Sequence, residues 1–458
     1  MKNIGFKNRV SELKLLNELY EKGEPKLIVL FGRRRVGKTE LLKEFLKKHR
    51  GPYILARQES EKEQLKSVSR AVAEFFDDDV LQLNPFSNWD AFFTYLATKP
   101  RMPVIFDEFP YMVQSSKKVT SILQDHWDNT LAKKNAFIIL CGSSMSMMGK
   151  LLGQKSPIYG RRTEQVLLEP LKFRDACLFF PEGMAFRDRV INYAVLGGLP
   201  AYLLEFDFSK SIRENFLQNL LMKNKFLFQD VLFTLREELK EPKNYFSILY
   251  SISRGNTRPG QIVNDTGFEK SFVNKYLDIL AGLHIVERRV PVTEKSNSRS
   301  RNGIYVIRDN FFRFWFKFVF ENLEYVEQEK QEKLLDERII PELDSFAGPA
   351  FEEIAISELI SMDRHKDYIF GRWWDRNSEA DIVGIDRIGR KLLVGEAKLG
   401  RLRLPDVKRI AMSLRGKASK INQCFNFSEQ FVIVCASFAG PENAGKEFGV
   451  DIVAIDKT

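Results

Sequence analysis

Three short apolar runs, residues 27–31, 103–106 and 136–142, stand out against the polar background of the first third of the chain. Each is too short for a helix and lacks the alternation of a half-exposed strand. Each therefore predicts a strand buried on both faces, as in a parallel sheet. Residues 163–168 add a fourth strand-like segment, while 40–46 and the stretch from Phe6 to Leu13 have the spacing or setting of helices. This alternation predicts one α/β domain over 1–175. The pattern then turns helical over 176–242, as a lid would, broken only where Gly197, Gly198, Leu199 and Pro200 interrupt the periodicity. Over 243–323 three helical stretches (245–252, 260–265 and 269–281) precede two strand-like stretches, 285–290 and 304–307, that flank a polar tip. A charge-dense helical linker is expected at 324–341, and a last α/β domain at 342–458.

Composition narrows the class. A chain of 458 residues suits about three domains. With 44% hydrophobic and 29% charged residues it reads as globular, and no uncharged run approaches the ~20 apolar residues of a membrane span. The N-terminal residues lack the apolar core of a signal peptide, so a cytoplasmic location is expected. Cys141, Cys177, Cys424 and Cys435 lie far apart without a C-x-x-C spacing, which argues for reduced thiols over disulfides or zinc ligands. A net charge of +10 and a pI of about 9.2 favour a polyanionic partner.

The first strand leads into Gly32, Arg33, Arg34, Arg35, Val36, Gly37, Lys38 and Thr39, the spacing G-x-x-x-x-G-K-[ST] between a strand and a helix that begins with Glu40. Such a turn points backbone N–H groups and the positive end of a helix dipole at a triphosphate. Lys38 is expected to reach the β- and γ-phosphates, and Thr39 to offer its hydroxyl to Mg²⁺. The second strand ends in Asp107 and Glu108, acids placed to hold the metal's water shell and to polarise an attacking water. The implied cofactors are ATP and Mg²⁺.

In the last domain, residues 380–385 and 391–398 read as a hairpin whose centre falls between Ile388 and Gly389. That register opposes Asp381 to Glu396 and sets Lys398 on the same face, two residues on. Opposed carboxylates repel unless a positive charge lies between them. A divalent cation beside a lysine would supply it, the Asp…Glu-x-Lys constellation of PD-(D/E)xK nucleases. The same register also opposes Glu379 to Lys398, which would make the lysine an ion-pair partner on a degenerate nuclease fold.

The combination of Phe6 and Arg9, the Gly32–Thr39 loop, Phe106 to Pro110, Cys141 to Ser144, Tyr159 to Thr163 and Gly197 to Tyr202 resembles the archaeal-type P-loop ATPases, relatives of AAA+ and STAND proteins. The resemblance covers about the N-terminal half. It implies that Ser143 acts as the sensor hydroxyl, that Arg161 or Arg162 serves as an arginine finger in cis or in trans, that Arg9 lies by the nucleotide and that Pro200 packs against the base. It further implies a winged helix over 243–323 and a restriction-endonuclease-like C-terminal domain in which Glu352 joins Asp381 and Glu396 as a metal ligand while Lys398 positions a water. On that reading Lys270, Asn274 and Lys275 of the third helix and Lys295, Arg299 and Arg301 of the wing would meet DNA. The expected function is a DNA-interacting ATPase coupled to a nuclease, possible as a homo-oligomer. The alternative is a STAND-like regulatory switch whose nuclease fold only recognises a partner.

Overall fold

The computed structural model describes residues 6–239, 241–294, 300–441 and 443–457. They fall into two compact units: one runs to Leu178 and takes in Gly198–Leu204, the other comprises Phe179–Gly197 and the chain from Glu205 onward. The helical segment 176–242 is shared between them.

In the first unit, β1 (Lys26–Phe31), β2 (Tyr53–Leu55), β3 (Pro103–Asp107), β4 (Phe137–Gly142) and β5 (Glu164–Leu167) form one sheet in the order β2-β3-β4-β1-β5. Every pairing is parallel. Odd and even positions of β1, β3 and β4 are buried alike, which is why these runs carry no alternation. Helix α1 (Val10–Glu21) precedes β1 and buries Leu16 and Leu19. Helix α2 (Lys38–Lys48) follows it and buries Leu41, Leu42 and Phe45 while Lys43 and Lys47 face water. Each of those three contributes roughly 1.5–3 kcal/mol of transfer free energy. Because β4 lies between β1 and β3, the residue after β4 falls between the loop that follows β1 and the acids that end β3. That edge, at the carboxyl ends of the strands, is where open α/β sheets bind ligands.

The second unit contains helices Pro242–Ser253, Pro259–Thr266 and Lys270–Gly282, followed by an antiparallel ribbon of β6 (Val286–Arg289) and β7 (Ile304–Ile307). Lys295 and Arg299 of the polar tip lie outside the described residues. An aromatic segment then packs inward: Phe311, Phe312, Phe314, Trp315 and Phe316 are all buried, and the Trp315 indole N–H donates to the Phe228 carbonyl at 3.1 Å. The linker region is helical and buries Val326, Leu334, Leu335 and Ile339. Those buried residues mean that it packs as well as connects.

Helix Leu343–Ile360 leads to a second sheet, β12-β11-β10-β9-β8, built from β8 (Ile369–Trp374), β9 (Glu379–Asp386), β10 (Lys391–Arg403), β11 (Ser428–Ala439) and β12 (Asp451–Ala454). Strands β9 and β10 are antiparallel, with Asp386 opposite Lys391 and Ile382 opposite Gly395. This is the register expected from the hairpin centre, and one further step along it reaches Asp381 and Glu396. Helix Leu404–Asn422 covers the sheet through Val407, Ile410, Leu414 and Ala418, which share a core with Val383, Val394 and Ile433.

Candidate nucleotide site and a carboxylate cluster

The loop after β1 has the backbone its glycines permit. A Cβ on Gly32 would stand 2.4 Å from the Leu168 carbonyl oxygen, and Gly37 adopts φ 99° at the start of α2, a conformation that L side chains avoid. Lys38 is only 4% exposed and donates to the carbonyls of Gly32 at 2.8 Å and Arg33 at 3.1 Å. Its ammonium thus lies back along the inside of the loop, and burial depresses its pKa. Thr39 donates through Oγ1 to Asp107 Oδ2 at 2.7 Å, so the hydroxyl and the acid that the spacing singled out converge on one point. Glu108 takes φ 54°, a left-handed conformation costly for a non-glycine residue and a frequent mark of a functional site. Both its oxygens are held: Ser143 N–H donates to Oε2 at 3.2 Å and Ser143 Oγ donates to Oε1.

The other candidates divide. Arg9, at φ 68°, is buried and donates to the Val36 carbonyl at 2.8 Å and to Glu12 at 2.9 Å, which braces the loop from α1. Pro200 approaches Gly37, its Cγ 3.9 Å from where a Cβ would stand. Arg33 reaches Tyr202 Oη at 3.3 Å and Arg34 reaches Tyr111 Oη at 2.8 Å, while Arg35 turns the loop at φ 69°. Glu40 is exposed and pairs with Lys43 at 3.1 Å. Arg161 binds Asp128 through Nε and Nη2, the latter at 2.9 Å, and Arg162 donates to the Leu152 carbonyl at 2.7 Å, capping the end of helix Met145–Leu152. Among the described residues, the bonds of both guanidinium groups go to partners other than the phosphate loop and the two acids.

In the second unit the acids Asp381, Glu396 and Glu352 are gathered, and each is already engaged. Asp381 Oδ2 accepts from the Ala397 N–H at 3.1 Å; burial, then the nearby Glu396 charge, raises its pKa. Glu396 accepts from Lys398 on one oxygen and from Lys417 on the other, both at 2.8 Å. Burial works to raise its pKa, but the two ammonium bonds outweigh it and hold the group below its ordinary value. Glu352 pairs with Arg372. Lys398 therefore pairs with Glu396, and the alternative partner Glu379 lies opposite Trp374 of β8. The cation that opposed carboxylates require is supplied by the chain's own side chains. Among the described residues no three His, Cys, Asp or Glu side chains are grouped so as to hold a metal ion.

A chain 33% identical over 452 residues, an uncharacterized protein of Methanocaldococcus jannaschii, aligns with 96% of this sequence and 97% of its own. Residues 6–206 match the model of an ATPase domain found predominantly in Archaea. The chain belongs to this archaeal-type ATPase family. Residues 315–410 of the ATPase also match a family described as archaeal and bacterial proteins of unknown function. A shorter relative, an uncharacterized ATP-binding protein of M. jannaschii, is 49% identical over 43 residues, 9% of this chain and 73% of that one. Among solved structures a Walker-type ATPase of Pyrococcus abyssi superposes with a TM-score of 0.51 at 20% identity, covering 68% of this chain and 96% of its own. It shares the fold. No helix among the described residues is long and apolar enough to cross a membrane.

Several residues of the ATPase that shape these sites escape motif reasoning. Tyr53 donates to Asp107 Oδ2 from β2, a three-residue strand too short to register as a periodic segment. Burial, then the charge of Asp107, raises its pKa. Lys417 had a usable signal, since it follows Leu414 by three positions on the inward stripe of an amphipathic helix, where a lysine needs a partner. Arg372 had none, because its pairing depends on how β8 meets helix Leu343–Ile360.

Glu352 makes a measurable prediction. Burial, opposed only in part by Arg372, lifts its pKa from 4.5 to about 7. Between those values the folded chain holds a proton that the unfolded chain has lost, so stability should fall as pH rises through this window. Thermal melts on either side of it should show that slope in the wild type and a flatter one in Glu352→Gln. An unchanged slope would assign the titration elsewhere.

Proposed function

We propose that the ATPase hydrolyses Mg-ATP at the Gly32–Thr39 loop and binds nucleic acid through its second unit, with the C-terminal domain recognising its partner without cutting it. The observation that carries the first part is the convergence of Thr39 on Asp107 beside a Glu108 oriented by Ser143. Thr39 and Asp107 would hold Mg²⁺, which when bound neutralises phosphate charge. Lys38 would turn from its loop carbonyls to the phosphates, Glu108 would take the proton of the attacking water, and Ser143 keeps that carboxylate in place. Arg9 and Pro200 would brace the loop and its glycine turn. For Arg161 or Arg162 to stabilise transition-state charge, each must first leave Asp128 or the Leu152 carbonyl, so we assign neither a role within one chain.

Binding of nucleic acid is supported by three helices followed by an antiparallel ribbon, the order of a helix-turn-helix with a wing. Lys270, Asn274 and Lys275 are exposed together on the third helix and Arg301 on the ribbon tip. The nuclease reading is favoured by the β9–β10 register and opposed by the donor set. Glu396 is bonded to Lys398 and Lys417, Glu352 to Arg372 and Asp381 to the Ala397 N–H, so a divalent ion on Glu396 would have to displace ammonium groups at 2.8 Å. These residues do not fit a resident metal. Incubating the full chain with Mg²⁺ or Mn²⁺ and branched, single-stranded and duplex DNA, with and without ATP, should give salt-sensitive binding and intact DNA. Cleavage that disappears in Asp381→Asn would restore the nuclease.

A further inference from the structure

A cleft of about 840 Å³ opens within the second unit, lined by the start of helix Pro259–Thr266, by Arg289 and Ile304 of the β6–β7 ribbon, and by the end of β8 with its turn into β9. Its volume lies in the range of about 300–1,000 Å³ that holds organic ligands. Four guanidinium groups line it against two carboxylates, Asp375 and Glu379. Two of the four are engaged, Arg289 by Glu287 and Glu353 and Arg372 by Glu352. The other two, Arg258 and Arg376, have no ion pair among the described residues, and they stand on separate elements.

Trp374 supplies the second kind of surface. Its indole N–H donates to the Asn302 carbonyl at 2.9 Å, which fixes the ring and satisfies its one polar atom. What the half-buried indole has left to offer the cleft is its π surface. Arginines on separate elements beside a fixed aromatic ring match the chemistry of an unpaired strand, whose phosphates are spaced along a backbone and whose bases are free to stack. A duplex keeps its bases stacked inside and has none to lay on a ring within a cleft. A mononucleotide's clustered phosphates call for a cradle of backbone N–H groups, and Pro259 at the first turn of the lining helix removes one of them.

We infer that this cleft takes an unpaired stretch of nucleic acid, with phosphates on Arg258 and Arg376 and a base against the Trp374 ring. The inference rests on the reading that the second unit binds nucleic acid, and it specifies which form. Strand pairing gives it a direction: Trp374 lies opposite Glu379 and Trp373 opposite Ala380, one residue short of Asp381. A strand in the cleft runs toward the cluster of acids and cations described above, where its next groups would be recognised.

The test uses the full chain and fluorescence anisotropy with a labelled single-stranded oligonucleotide, a duplex of the same length, and a labelled mononucleotide. Trp374→Ala should weaken single-strand binding by roughly tenfold, the scale of one lost base stack, and leave duplex binding unchanged. Arg376→Glu, on an exposed turn where folding is not at stake, should weaken it too and lower the salt slope by about 0.7 for the lost phosphate contact. Wild-type single-strand affinity in both variants overturns the inference, as does a mononucleotide that competes as well as the strand. The two readings fail differently: duplex binding with indifferent cleft variants removes only the cleft, whereas a wild-type chain that binds no nucleic acid removes both.

Discussion

Lys38→Ala is expected to lose ATP binding by between roughly 30-fold and several thousand-fold, the equivalent of about 2–5 kcal/mol for truncating one partner of a buried charged contact. The lysine is buried and bonded to the carbonyls of its own loop, so its ammonium has only to turn from those carbonyls to meet a triphosphate. Asp107 and Glu108 lie close enough to favour its charged form. Without Lys38 those two acids would face the nucleotide's negative charge with one buried counter-charge fewer. Titration with a fluorescent ATP analogue in the presence of Mg²⁺ measures the loss, and circular dichroism confirms that the variant is folded. Undiminished affinity would remove the phosphate-binding assignment from this loop.

How far the sequence could be read depended on whether a feature is set by neighbours along the chain or by neighbours in space. The loop between β1 and α2 is local: a buried strand, two glycines with backbone demands and an amphipathic helix are all written in consecutive residues, and each is found as expected. The β9–β10 register was also legible, since a hairpin centre fixes every pairing that follows. What surrounds Glu396 was not. Opposed carboxylates were correctly expected to need positive charge, yet the sequence could not say that a lysine 21 positions away would reach the second oxygen. The local pattern offered a metal ion or Lys398, and it gave the lysine Glu379 rather than Glu396 as its alternative partner. The arginines after Gly160 illustrate the same limit. Their spacing suits a finger, but Asp128 and the Leu152 carbonyl are partners that only the packed structure supplies.

The aromatic core of the second unit was hidden for another reason. Residues 311–320 are apolar almost all round, so they carry no moment and no strand alternation, and a continuous apolar run does not distinguish a buried helix from a pair of strands. Their role as a centre of packing follows from contacts such as Phe314 with Phe216 and Phe346, at centroid distances of 5.5 and 5.8 Å. Those partners are remote in sequence.

The second large effect is expected at Glu108. Glu108→Gln should bind ATP with near wild-type affinity and hydrolyse it roughly 10² to 10⁴ times more slowly, the range attributed to a positioned general base. The substitution keeps the size of the side chain and the left-handed backbone at this position, so the phosphate loop, Lys38 and the Thr39–Asp107 bond stay as they are. It removes the negative charge and turns one acceptor into a donor. Ser143 N–H holds one oxygen and its hydroxyl holds the other; that hydroxyl can accept from an amide N–H as well as donate to a carboxylate, so the glutamine keeps its orientation but cannot take a proton. Single-turnover hydrolysis of radiolabelled ATP, alongside a binding titration, separates the two effects. Ser143→Ala provides the companion measurement: it leaves the carboxylate in place but unguided, and should slow hydrolysis by less than Glu108→Gln does. Should both variants turn over ATP at the wild-type rate, Glu108 is a structural acid at a strand end, and the base must be sought among the other groups around Asp107.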